Sequence, residues 1–139
     1  MSRKHLNRKG SAAVEFALVL PILLVLVFGI VEFSVALYDK AVITNASREG
    51  ARAGIVFRVP PVTNGEISTI VNTYCQNRLL TFGTPAAVST SVVREGSGAS
   101  GDDLTVQVQY QYGFLIIPRF VTGIPGGIQL DAQTIMRME

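Results

Sequence analysis

Few side chains in this sequence are equipped for chemistry, and their spacing excludes most of it. The chain has one histidine, His5, and one cysteine, Cys75. No metal-ligating set, nucleophile–base pair or glycine-rich phosphate loop can be assembled from them, so neither a catalytic site nor a cofactor is expected. A lone cysteine also excludes an internal disulfide framework; beside an apolar helical stripe, Cys75 reads as a buried thiol. The exception is Glu15. It stands at the start of an apolar run, and Phe16 to Val31 contains no charged residue. A carboxylate in hydrocarbon is costly, so Glu15 reads either as a functional contact or as a side chain that snorkels to the headgroup boundary.

The element that must position Glu15 is a helix. At about 1.5 Å per residue, the apolar run with its flanks is long enough to cross a bilayer. Arg3, Lys4, Arg8 and Lys9 precede it, four of the twelve basic residues of the chain. This places residues 1–10 on the cytoplasmic side, as a short unstructured leader, and sends the remainder across the membrane. Without those ten residues, eight basic side chains face ten acidic ones. A nucleic-acid partner, which needs a lasting basic surface, is not expected. The run is too long for a secretory core and lacks a small-residue cleavage site beyond it.

Past Val31 the helical pattern continues. Val31, Val35, Tyr38, Val42 and Ala46 recur every three or four residues, which predicts one helix from Ser11 to Gly54, its first half in lipid and its second half outside. Glu32 falls near the far interface and reads as a solvated residue. Ala46, Gly50 and Gly54 form a small-residue series suited to close helix packing, although Gly54 also fits a helix cap and Gly50 a site where the domain packs on the helix. Arg48, Glu49 and Arg52 read as a solvated face.

Pro60-Pro61 and Asn64-Gly65 break the chain, and Thr63 with Glu66 forms a capping box for a second helix ending near Leu80. Its stripe is Ile67, Ile70, Val71 and Tyr74. Two-residue alternation then predicts strands over 88–93, 104–112 and 128–136, the first two joined by the turn at 96–101, in an antiparallel sheet with one face on a helix. Gln107, Gln109 and Gln111 fall on the opposite face from Tyr110 and Tyr112. The Phe114–Gly127 connection is apolar and rich in proline and glycine. The fold class is α+β: segments 1–10 (leader), 11–37 (membrane), 38–58 (outer helix) and 59–139 (small domain).

Arg8-Lys9-Gly10-Ser11-Ala12-Ala13-Val14-Glu15-Phe16, followed by a membrane helix, resembles the type IV prepilin processing signal. Gly29-Ile30-Val31-Glu32-Phe33, Thr44-Asn45-Ala46 and Ser47-Arg48-Glu49-Gly50-Ala51-Arg52-Ala53 are similar to the TadE-like family, minor pilins or pseudopilins of the tight-adherence (Flp) pilus. The ending Thr134 to Glu139 is a weaker echo. The resemblance implies a pilin-like fold and cleavage between Gly10 and Ser11 by a prepilin peptidase, which removes His5. It also implies an assembly contact at Glu15 and Phe16, with Arg48, Glu49, Gly50 and Arg52 as a family motif on the helix. The implied partners are the peptidase, other pilins and pseudopilins, the inner-membrane assembly platform and the lipid bilayer. The implied role is in pilus assembly, surface attachment or secretion. The alternative is an unprocessed, membrane-anchored accessory protein that assists assembly without entering the fibre.

Overall fold

The computed structural model describes residues 6–80, 87–96, 98–114 and 127–138. The first helix, α1, runs without interruption over Leu6–Ile55. Pro21 lies inside it, where the missing N–H removes one ladder bond without ending the helix. α1 begins at Leu6 and not at Ser11, so the described part of the leader is helical rather than unstructured. The leader before Leu6 lies outside the described residues.

α2 spans Asn64–Gln76 and begins at the expected capping box. Thr63 Oγ1 accepts from Glu66 N–H at 3.2 Å, while a Glu66 carboxylate oxygen accepts from Thr63 N–H at 2.7 Å. Arg58 closes on the same carboxylate at 2.8 Å. These hydrogen bonds and the adjacent guanidinium hold the exposed Glu66 carboxyl down at about 2. The helix ends at Gln76, four residues before the expected Leu80, with Asn77 as its cap.

The three strands are β1 (Val88–Arg94), β2 (Asp103–Tyr112) and β3 (Ile128–Arg137). They form one antiparallel sheet in the order β1-β2-β3. In the turn between β1 and β2, Gly96 has φ +69° and lies so close to the Asp102 carboxylate that a Cβ would strike it. The connection over 115–126, singled out in the sequence, lies outside the described residues.

Alternation sorts the sheet into two faces. Leu104, Val106, Val108, Tyr110 and Tyr112 of β2 are buried, whereas Thr105, Gln107, Gln109 and Gln111 turn away. The buried row packs on α1, which runs alongside β2 in the opposite direction. Tyr112 meets Glu32 at one end, and Leu104 lies against Gly54 at the other. α2 fills the flank with Ile67, Val71 and Cys75, all fully buried. Each buried Val, Leu or Ile contributes about 1.5–3 kcal/mol, so this cluster is the main attachment of the small domain to the helix.

Candidate functional site

Two parts of α1 are of functional interest, one at its start and one along the seam with the domain. At the start, Gly10 lies within the helix, and a Cβ built on it meets nothing within 4 Å. Glycine inside a helix costs about 0.5–1 kcal/mol relative to alanine. Neither a close contact nor a positive φ requires it here. The fold therefore gives no reason for glycine at this position. Ser11 Oγ donates to Glu15 Oε1 at 3.2 Å, one helical turn apart, with both residues on the surface. Phe16 is 64% exposed.

Beyond them the helix is bare. Leu18, Val19, Ile22, Leu23, Leu24, Val25, Leu26, Val27, Phe28, Ile30 and Val31 are all exposed, and none of the most apolar window is buried within the protein. A soluble protein rarely leaves so large a continuous apolar surface to water. α1 is long and apolar enough to span a membrane once.

The seam corrects the sequence reading of Glu32. It is 2% exposed, not solvated, and its Oε1 accepts from the Tyr112 hydroxyl at 2.8 Å. Burial and this bond to a carboxylate push the Tyr112 phenol well above its ordinary pKa. Two turns further on, Asp39 is completely buried; Oδ1 accepts from Leu80 N–H at 3.0 Å, and Oδ2 has no hydrogen-bond partner. Burial raises the Asp39 carboxyl pKa, partly offset by the Leu80 N–H. Ser47 and Thr134 join α1 to β3 through their hydroxyls at 2.7 Å. Domain packing thus begins at Glu32 and Ala36, within the 11–37 segment read as membrane helix.

The buried face of α1 is Glu32, Ala36, Asp39, Val42, Ile43, Ala46, Ser47, Gly50, Ala51 and Gly54. It meets the expected stripe at Val42 and Ala46, which are buried, and departs from it at Val31 and Tyr38, which are exposed, and at the half-buried Val35. A seven-residue spacing (Glu32, Asp39, Ala46, and Ala36, Ile43, Gly50) was the available signal. It was hidden because two of its members are carboxylates and several are small.

Gly50 and Gly54 are the points of closest approach. A Cβ on Gly50 would stand 2.6 Å from Val71 Cγ2, and one on Gly54 2.7 Å from Ile67 Cδ1. Gly54 has no positive φ, so its role is packing against α2 and β2 and not helix capping. Of the remaining motif residues, Arg48, Glu49 and Arg52 are exposed. The structure therefore separates the sequence-derived sites: Gly10, Ser11, Glu15 and Phe16 cluster on the bare end of α1, whereas Gly50 belongs to the seam.

A long helix, apolar and bare at its start and buried by a small α+β domain along its outer part, fits a single-pass, helix-anchored protein. Residues 10–52, which lie within α1, match the TadE-like protein family. That family implies association with the tight-adherence pilus system. Comparison with curated proteins and with solved structures gave no significant match.

Proposed function

We propose that the chain is a minor pilin or pseudopilin of a tight-adherence pilus, cut after Gly10 by a prepilin peptidase and assembled through the exposed end of α1. The observation that carries this reading is Gly10 itself. It is a helical glycine that the fold does not require, at the first residue of the family match and one turn before the Ser11–Glu15 hydrogen bond. Without a Cβ, the backbone can enter a protease cleft, where the helix must open because a scissile peptide is bound extended.

Hydrolysis of the Gly10–Ser11 peptide by water leaves a carboxylate on the leader and an ammonium on Ser11. Ser11 then becomes the first residue of α1, and Glu15 lies near the helix N-terminus, where a carboxylate is favoured by the macrodipole. The ammonium and Glu15, on one chain or on neighbouring chains, neutralise each other where an isolated charge would be expensive. This pairing fixes the axial register between adjacent subunits. Phe16 and the apolar surface after it pack first against lipid and then against neighbouring helices. The N-terminus is cytoplasmic and the domain extracytoplasmic.

A Glu15→Ala variant tests the register mechanism. It is cut normally, because the substitution leaves the Gly10–Ser11 bond intact, but its incorporation into sheared fibres falls at least tenfold. Wild-type incorporation would refute the pairing. The second reading, an uncut accessory protein, is favoured by the helical continuity of α1 across Gly10 and Ser11. It predicts an intact N-terminus in cells that contain the peptidase.

A further inference from the structure

The two edges of the sheet are treated differently. On β1 the outward Val92 carbonyl accepts from Asn64 Nδ2 at 3.3 Å, and Arg94 reaches across to the Val62 carbonyl. α2 closes that side. On β3 nothing comparable occurs among the described residues. Met138 N–H donates to the Asp102 carbonyl, and alternation from that pair assigns Ile128, Leu130, Ala132, Thr134 and Met136 to the ladder with β2. Gln129, Asp131, Gln133, Ile135 and Arg137 therefore direct their N–H and C=O groups outward. Among the described residues none of these backbone groups has a hydrogen-bond partner.

Proteins guard an open edge with proline, a bulge, a short strand or an edge charge. β3 has ten residues in unbroken register, without proline or bulge. Its two charges are drawn away from the edge: Asp131 accepts from Gln107 Nε2 at 3.0 Å, and Arg137 Nε donates to the Gly101 carbonyl at 2.9 Å. Beside this edge, Ile128, Leu130 and Met136 are only half-buried at the margin of the core, and Ile135 is 58% exposed on the other face.

We propose that β3 receives an extended strand from a different protein, antiparallel to it, as a fourth strand of the sheet. Apolar side chains of that strand cover Leu130 and Met136 on the inner face, and an apolar residue extends the row Val93–Thr105–Ile135 on the outer face. A second copy of this chain does not fit as that antiparallel strand. Two identical antiparallel edge strands are related by a two-fold axis normal to the sheet. Because α1 lies along the strands, that operation points the two membrane helices in opposite directions, and both cannot enter one bilayer with the same orientation. The proposal rests on the membrane anchoring of α1 and not on cleavage at Gly10.

The test places a photo-crosslinking amino acid at Asp131, Gln133 or Ile135, one at a time, in the full-length membrane protein in its native cell. Mass spectrometry then maps the crosslinked peptides. The expected result is attachment to alternate residues of a single other protein, whose numbering falls as that of β3 rises. Gln133→Pro deletes an N–H that the sheet does not use, and Ile135→Lys adds an edge charge. Each should lower crosslinking at Asp131 at least tenfold while leaving the near-ultraviolet tyrosine signal of the folded domain unchanged. Crosslinks between two copies of this chain, crosslinks without that register, or none at all would overturn the proposal. The uncut chain suffices for the experiment, so its failure is distinguishable from failure of the pilin reading.

Discussion

Replacing Gly50 with alanine tests the seam between α1 and the domain. Two effects oppose each other. Alanine in a helix interior is favoured over glycine by about 0.8–1.0 kcal/mol. The new Cβ, however, would stand 2.6 Å from Val71 Cγ2, 3.3 Å from Ile67 Cγ2 and 3.5 Å from Val106 Cγ1. Val71 is fully buried and β-branched, with little rotamer freedom to retreat. Overpacking costs about 1–3 kcal/mol, and a contact this short against a fully buried side chain falls in the upper half of that range, so the clash wins and the net loss is about 1–2 kcal/mol. Val71→Ala removes the offending methyl and alone loses about 1–3 kcal/mol through the cavity. In the double variant the new Cβ occupies that space, which gives a favourable coupling of about 1 kcal/mol. Denaturant titration of the full chain in detergent, followed by the near-ultraviolet signal of Tyr110 and Tyr112, measures all four corners of the cycle. A Gly50→Ala protein as stable as wild type, or strictly additive substitutions, would refute the packing role assigned to Gly50.

Other consequences follow from the same seam. Tyr112→Phe removes a buried donor from the Glu32 carboxylate and should lower stability by about 1–3 kcal/mol in the same titration; no change would contradict the bond. The folded-state pKa of Asp39 is raised, so the folded protein holds that proton more tightly than the unfolded chain does. Its contribution is therefore fully present below the unfolded value and is lost as pH rises through the folded one. The stability of Asp39→Asn relative to wild type should increase from acid to neutral pH, and a flat or falling difference would exclude this origin. Burial pushes the Cys75 thiol up to about 11. Maleimide labelling should be at least a hundredfold slower in the folded protein than in denaturant, and equal rates would place the thiol at the surface.

Elements whose signals are local were legible in the sequence. The capping box of Thr63 and Glu66, the alternation along β2 and the unbroken apolar run each depend on neighbours a few residues apart, and each was found in place. The TadE-like match over residues 10–52 covers the motifs that carried the resemblance on the helix except Arg8, Lys9 and Ala53, and does not reach the similarity at the C-terminus. The buried face of α1 was read in part, at Val42, Ala46 and the packing site at Gly50, and misjudged elsewhere because burial there is decided by distant partners. Glu32 is buried where Tyr112, eighty residues later, supplies a donor to its carboxylate. Asp39 depends likewise on Leu80, and Gly50 on Val71 and Val106. A hydrophobic stripe read along the helix assigns such positions to solvent. The early start of α1 has a simpler cause: Leu6 to Gly10 contains no helix breaker except a glycine, and an established helix extends through one at modest cost.

The central claim is that this chain is a substrate for cleavage at one bond, and the most direct test is its intact mass. The full-length protein is expressed in membranes with and without a prepilin peptidase, extracted in detergent and weighed by mass spectrometry, with its N-terminal residue sequenced. The account predicts that the chain begins at Ser11 when the peptidase is present and at Met1 when it is absent. It also predicts that Gly10→Leu blocks cutting while leaving the fold intact, since a side chain at that position meets open space. An intact N-terminus in the presence of an active peptidase would contradict the claim.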